Sequence, residues 1–568
     1  MVRNVLHRIN PHPTHAYVRI RNILKTMFGD RRVRVGIVAV LIAGIIGVIV
    51  IALTSDDDGG DAKTRHNGKT LNVALATFGA EVLDPSTDLQ AGYRYYGHLY
   101  DQLVGADNEG RQDVETGVLE SWSASSDGKS YFLNLRPNLR WHDGTDVVAE
   151  DIKFSLDHYR RAAAACAVCG SLDDVVASVS TSADLQVTVN LIRPDAGFIT
   201  RLGPVQEAVP LLPSSYFDRV GEAGFAENPV GSGAWRFSAR VKGESIEFEA
   251  NETYWNERKI PGYARLRLVR APDPGVRLAM LLSETVDMTP VRLDQVEPLK
   301  QVGFNIGGPK NVIETALRFF ESYDDSYLTS KLEFRQALTL GMDVPGMIKE
   351  SYPAEAATRA FGSVMFVPSS EGFTAELAPY EFDPERAMEL LVEAGYTGEK
   401  VSLISIPVYD LPEIPEMNAM IIRSWRELGI NAEIVASTYG PVKGRFAARP
   451  QLFDDLAPAP VFHGGHVNSP GGILNAINRY LTSSEQGLLG YHNPEEGDRI
   501  LAELLVTPEG KVRTDILTEL NRRLQLEYWA APIVWRHETW GLSPRIESWS
   551  PQNGTSAYLK FETTVARD

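Results

Sequence analysis

Residues Val35 to Leu53 read VGIVAVLIAGIIGVIVIAL, nineteen positions without a charge or a polar side chain. At about 1.5 Å rise per residue, a helix of that length nearly spans a hydrocarbon core of roughly 30 Å. The run is apolar on every face, which suits lipid better than the one-sided burial of a surface helix. Arg31, Arg32 and Arg34 precede it and Asp56, Asp57 and Asp58 follow it. Positive charge stays on the cytoplasmic side, so the N-terminus is expected inside and the large C-terminal body outside, on a single-pass cell-membrane anchor. A cleaved signal peptide fits less well, because the basic region is long and the apolar run exceeds the usual h-region. Leu41-Ile42-Ala43-Gly44 has the form of a lipobox start, but Ile45 stands where the lipidated Cys belongs. The expected layout is a basic cytoplasmic tail over 1–34, an uncleaved signal anchor over 35–53 and a linker over 54–69. The linker, TSDDDGGDAKTRHNGK, is too polar and Gly/Asp-rich to order itself by burial.

The remaining length exceeds what one hydrophobic core supports, so two or more domains are expected. The formal net charge is -18. The first 34 residues carry eight Lys/Arg against Asp30, so the body is more acidic than the total. An acidic body repels phosphate backbones and excludes nucleic acid as a partner. There are two cysteines, Cys166 and Cys169, which excludes a disulfide-rich scaffold. Outside the cytoplasm the pair reads as a local disulfide; a redox CxxC and half a zinc site are the alternatives.

Strand-like and helix-like segments alternate along the body. Residues 71–75, 184–192 and 244–250 have strand character, the last with Ile246, Phe248 and Ala250 on one face. In 383–396, Asp383 is an N-cap, Pro384 takes the first helical position, and Ala387, Leu390, Leu391 and Ala394 form one stripe before Gly395. Residues 416–429 repeat the pattern with Met417, Ile421, Trp425 and Leu428. An α/β body with mixed sheets follows. No P-loop, HExxH, GxSxG or Rossmann glycine run is present, so no enzyme and no cofactor is indicated.

Residues 118–161 carry Trp122, Ser126-Asp127-Gly128, Tyr131-Phe132, Leu135-Arg136, His142-Asp143-Gly144 and Asp151. This block resembles the most recognisable stretch of the family 5 extracellular solute-binding proteins, which serve peptide, nickel and related ABC importers. Asn228 to Gly233, Asn251 to Trp255, Phe334 to Leu338 with Asp343, and Asp383 to Tyr396 continue the resemblance in order, from about residue 70 to the C-terminus. Asp127-Gly128 and Asp143-Gly144 read as tight turns, so the block marks the fold rather than the pocket.

The resemblance implies a two-lobed, periplasmic-binding-protein-like α/β fold of type II. A first lobe would span 70–308 with an extra subdomain at 111–206. A second lobe would span 309–535, and 536–568 would return to the first. It also implies a monomer that binds a peptide or related small solute in the interlobe cleft and passes it to the permease subunits of an ABC importer. Closure around the solute is then a population shift. Two other functions use the same cleft: a membrane-anchored ligand-sensing receptor, which the basic tail motivates, and a binder of metal chelates.

Dipeptide binders of the family hold the peptide amino group with an Asp in Gly-Trp-x-x-Asp-x-x-x-Pro and the carboxylate with an Arg after a Pro-Val strand end. Here the first stretch matches 462–470, with His463 at the Trp place and His466 at the Asp place. The second matches Ile406 to Asp410, with Asp410 at the Arg place. Tyr409, Asp410, His463 and His466 are therefore the expected second-lobe ligand residues, facing Phe78 and Tyr95 from the first lobe. His463 and His466 with Asp410 also suit Ni²⁺, Cu²⁺ or Zn²⁺; the bland alternative is a pair of polar loop residues in a wet cleft.

Overall fold

The computed structural model describes residues 68–87, 92–161, 164, 166–203, 209–406, 411–438, 454–456, 458–466, 472–483 and 491–567. The basic tail, Val35–Leu53 and most of the linker lie outside the described residues. Among the described residues no helix is long and apolar enough to cross a membrane.

Alternating burial builds the first sheet. Leu266 and Leu268 of Arg265–Arg270 and Ile246 and Phe248 of Ser245–Ala250 are fully buried, while Arg265, Arg267, Glu247 and Glu249 between and beside them are more exposed. Seven strands lie in the order Asn305–Gly307, Trp540–Leu542, Met288–Pro290, Thr70–Leu75, Arg265–Arg270, Ser245–Ala250 and Trp235–Val241. Thr70–Leu75 runs parallel to both its neighbours, and the other pairs are antiparallel. A four-stranded antiparallel sheet, in the order Leu119–Ala124, Ser130–Leu135, Gln186–Leu191 and Val176–Ala183, shares this lobe's core. The turn joining its first two strands is Asp127-Gly128. Gly128 has φ +67°, and the Asp127 carboxylate accepts from Ser125 Oγ at 2.6 Å.

The second lobe is built on a six-stranded sheet. Its order is Ala357–Arg359, Ala530–Arg536, Ile313–Phe319, Ala459–His466, Val401–Ser405 and Ala432–Ala436. Val401–Ser405 runs parallel to both its neighbours. Helix Pro384–Glu393 starts where the sequence places it: the Asp383 carboxylate accepts from the Arg386 N–H at 2.9 Å, and Gly395 closes the end at φ +71°. Helix Ile414–Glu427 buries Met417, Ile421 and Trp425, and the Trp425 indole donates to Leu338 O at 2.8 Å.

The chain leaves the first sheet after Asn305–Gly307, builds the second, and returns after Ala530–Arg536 to place Trp540–Leu542 in the first. The two linking stretches are joined to each other. The Val312 N–H donates to Arg536 O at 2.9 Å and the Glu538 N–H to Pro309 O at 2.9 Å. Gly308 holds φ +130°, where an added Cβ would sit 2.0 Å from Glu538 O, so a side chain is barred there.

The turn and helix-start residues of 118–161 are structural. Asp151, buried inside the first turn of helix Ala149–Arg160, accepts from the Val148 N–H, the Trp141 indole and both the N–H and the hydroxyl of Ser214. Cys166 and Cys169 form a disulfide, with their Cα atoms 5.2 Å apart. A disulfide-bonded pair offers no thiolate to a zinc ion, so the zinc alternative falls away.

Candidate functional site

Three parallel strands of the second sheet, Val401–Ser405, Ala432–Ala436 and Ala459–His466, point their carboxyl ends at one edge. Ile313–Phe319, antiparallel to Ala459–His466, begins at that edge, and Ala530–Arg536, antiparallel to Ile313–Phe319, ends there. Open α/β sheets present ligand crevices at the carboxyl ends of their strands. A cavity of about 350 Å³, within the size range of small-molecule sites, is tied to that edge through Met365, whose N–H bonds Glu314. Gly110 to Gln112, Thr200 and Gly203 of the first lobe form one wall. Met365, Ser369 to Glu371, Gly472, Ile473, Ala476, Glu509 and Thr514 of the second lobe form the other.

Glu314 anchors the second-lobe wall. It stands one residue inside the strand edge, opposite Trp535 on one neighbour and position 466 on the other. Its carboxylate accepts from the Met365 N–H at 3.2 Å and from the Trp535 indole at 3.1 Å. Met365 holds a left-handed backbone, φ +78°, which that N–H bond helps to keep. Burial pushes the Glu314 carboxyl up to about 7, against the opposing pull of those two bonds. The neighbouring Ser363 N–H is held by Asn521 Oδ1 at 2.9 Å, and Asn521 also donates to Gly372 O at 3.2 Å. Two buried polar side chains therefore set the loop that faces the cavity. Glu509 shares the wall, and burial raises its carboxyl as well.

The sequence-derived candidates divide. Tyr409 and Asp410 lie outside the described residues. His466 is the last residue of Ala459–His466, at the cavity edge of the sheet. His463 is fully buried and is not on the described cavity wall, a correction to its expected role. Its Nδ1 lies 2.6 Å from Asn418 Oδ1, and the Asn418 amide donates to Ser405 Oγ at 2.8 Å. That network puts the proton on Nδ1, and burial drives the imidazole down to about 3, so the ring is neutral. Among the described residues no group of three His, Cys, Asp or Glu is placed to hold a metal ion.

Phe78 and Tyr95 are also corrected. Both are core residues, 1% and 0% exposed, and they meet edge-to-face with centroids 5.6 Å apart. The Tyr95 hydroxyl donates to Val82 O at 2.8 Å. Aromatic rings beside a first strand bury more apolar area in the core than on a wet wall, and the core wins. Sequence reasoning missed Glu314, Glu371 and Glu509. Each is an ordinary acid in its local context, and no spacing marked them.

The family model for bacterial extracellular solute-binding proteins, family 5 Middle, matches residues 113–449, more than half of the chain. The chain belongs to that family. The family 5 chain is 27% identical to the dipeptide-binding protein of Escherichia coli over 60% of its own length. It spans 66% of that relative, just under two thirds. It is 26% identical to heme-binding protein A of Haemophilus influenzae, over 79% of this chain and 84% of the relative. The solved structure of HbpA2 from Haemophilus parasuis superposes with a TM-score of 0.75 at 20% identity, covering 88% of this chain and 100% of that one. That likeness establishes the two-lobed periplasmic-binding-protein-like fold. These relatives are binding proteins by name and not enzymes.

Proposed function

We propose that this family 5 protein captures an oligopeptide or related solute between its lobes and delivers it to the transmembrane subunits of an ABC importer. The observation that carries the reading is the cavity of about 350 Å³ walled by both lobes. A solute that touches both walls favours the closed arrangement over the open one, which is the signal a permease can sense. Names among the relatives support a peptide: two of them are a dipeptide-binding protein and a periplasmic oligopeptide-binding protein. Tyr409, Asp410 and His466 are proposed to complete the second-lobe wall, because the first two follow strand Val401–Ser405 and His466 ends strand Ala459–His466 at the same edge of the sheet. Val35–Leu53 is proposed to hold the body, as a monomer, at the outer face of the cell membrane.

Mass spectrometry of solute released by denaturing the purified full chain tests the capture. A peptide recovered in stoichiometric amount supports the reading. Haem, a metal chelate or no small molecule at all refutes the peptide assignment. Membrane fractionation tests the anchor, and mature protein beginning near residue 55 and free in the medium refutes it.

A further inference from the structure

Away from the linking stretches, Lys300 Nζ of the first lobe meets Glu355 Oε1 of the second at 2.6 Å, and another meeting point of the lobes centres on Ala196. Ala196 lies in the loop between strand Gln186–Leu191 and helix Phe198–Arg201. Its N–H donates to Leu505 O at 2.8 Å, and its carbonyl accepts from Arg513 Nη1 at 2.6 Å. Both partners belong to the second lobe: Leu505 lies in the last turn of helix Pro494–Val506, and Arg513 sits in the first turn of helix Lys511–Leu526. The last carbonyls of a helix lack partners within it, so Leu505 O is an acceptor that the other lobe satisfies.

The loop that presents Ala196 is held firmly. Asp195 accepts from the Gly197 N–H at 2.9 Å and from Arg201 Nε at 3.0 Å, and the Tyr131 hydroxyl donates to Asp195 O at 3.0 Å. Gly197 lets the lobes approach, since a Cβ there would come within 2.6 Å of Leu474 Cδ1 in the second lobe.

On its other side, Arg513 Nε lies 3.1 Å from Glu371 Oε2, and the Thr514 hydroxyl donates to Glu371 Oε1 at 3.1 Å. Glu371 and Thr514 are on the cavity wall, whereas the Arg513 side chain is 0% exposed. One covered guanidinium therefore touches the opposite lobe and the carboxylate that a solute would meet.

We propose that Arg513 is a positioning residue for solute capture: it latches the closed lobes through Ala196 and transmits the position of Glu371 to that latch. The capture part rests on the function proposed above; the latch itself does not. A charged donor on a backbone carbonyl is among the stronger hydrogen bonds, so its loss shifts the balance of closed and open forms appreciably.

Hydrogen exchange of the full chain in detergent micelles, with no solute added, reads the latch at the amides of 195–199. Arg513→Ala is expected to speed exchange of the Ala196 amide by about tenfold to a hundredfold, with the amides of Ile313–Phe319 unchanged. Arg513→Lys, which keeps the charge but reaches fewer acceptors, is expected to fall between, and it serves as the test if the alanine variant does not fold. Exchange at Ala196 within twofold of the parent overturns the proposal. So does equal acceleration at Ile313–Phe319, which marks general support of the fold rather than a latch. Because no solute is used, failure here leaves the peptide reading intact, and failure of the peptide reading leaves the latch intact.

Discussion

Replacing Glu314 by Gln tests how a buried acid sets the cavity wall. A glutamate carboxyl that titrates at 4.5 when free is pushed to about 7 here, so the folded second lobe holds a proton that the unfolded chain has released. Stability from this group is fully present below the free value and is lost as pH rises through the folded value. Between those limits the loss is roughly 3 kcal/mol, at about 1.4 kcal/mol for each tenfold change in proton affinity. Glu314→Gln carries no titrating group, so this part of the pH dependence disappears. The variant also faces an amide N–H₂ toward one of two donors, the Met365 N–H or the Trp535 indole. That costs about 1–3 kcal/mol at every pH and cancels when the change with pH is compared. Urea unfolding is followed by hydrogen exchange in peptides of Ile313–Phe319, whose amides report the second lobe. From pH 4.5 to pH 8 the parent is expected to lose about 3 kcal/mol more than the variant. Parallel pH profiles for the two proteins would refute the buried-acid argument.

Trp425→Ala removes a fully buried indole and its bond to Leu338 O, and it is expected to destabilise the second lobe by about 3–5 kcal/mol in the same exchange assay. Reducing the Cys166–Cys169 disulfide, or changing both residues to Ser, opens a very short loop. It is expected to cost only about 2 kcal/mol, and a larger loss in thermal unfolding contradicts the loop-entropy account. Isothermal titration with mixed dipeptides is expected to show no tight binding that depends on both free termini. Two charge-assisted contacts of about 1.5–3 kcal/mol each lack their partners when His466 and Asp410 stand at those places. Asp410→Arg is expected to change which peptides bind without unfolding the protein, and unchanged affinities would remove Asp410 from the site.

What could be read from the chain was local. Asp383-Pro384 and Gly395 mark a helix, and Asp127-Gly128 marks a hairpin, because capping and turn chemistry act within a few residues. Alternating apolar residues placed Ile246 and Phe248 in the core, because a strand has a period of two. The order of such signals along the body was enough to recognise the family. The cavity wall was not legible. Glu314 acts through Met365 and through Trp535, 221 positions away, and nothing in its own strand distinguishes it from a surface acid. Arg513 meets Ala196 across 317 positions, and His463 is neutral because the fold buries it, against Asn418 of helix Ile414–Glu427. Phe78 and Tyr95 had the right chemistry for a cleft, but packing assigned them to the core. Caps, turns and periods are written in neighbouring residues, whereas burial, pKa and lobe contact arise between residues that only folding brings within bonding distance.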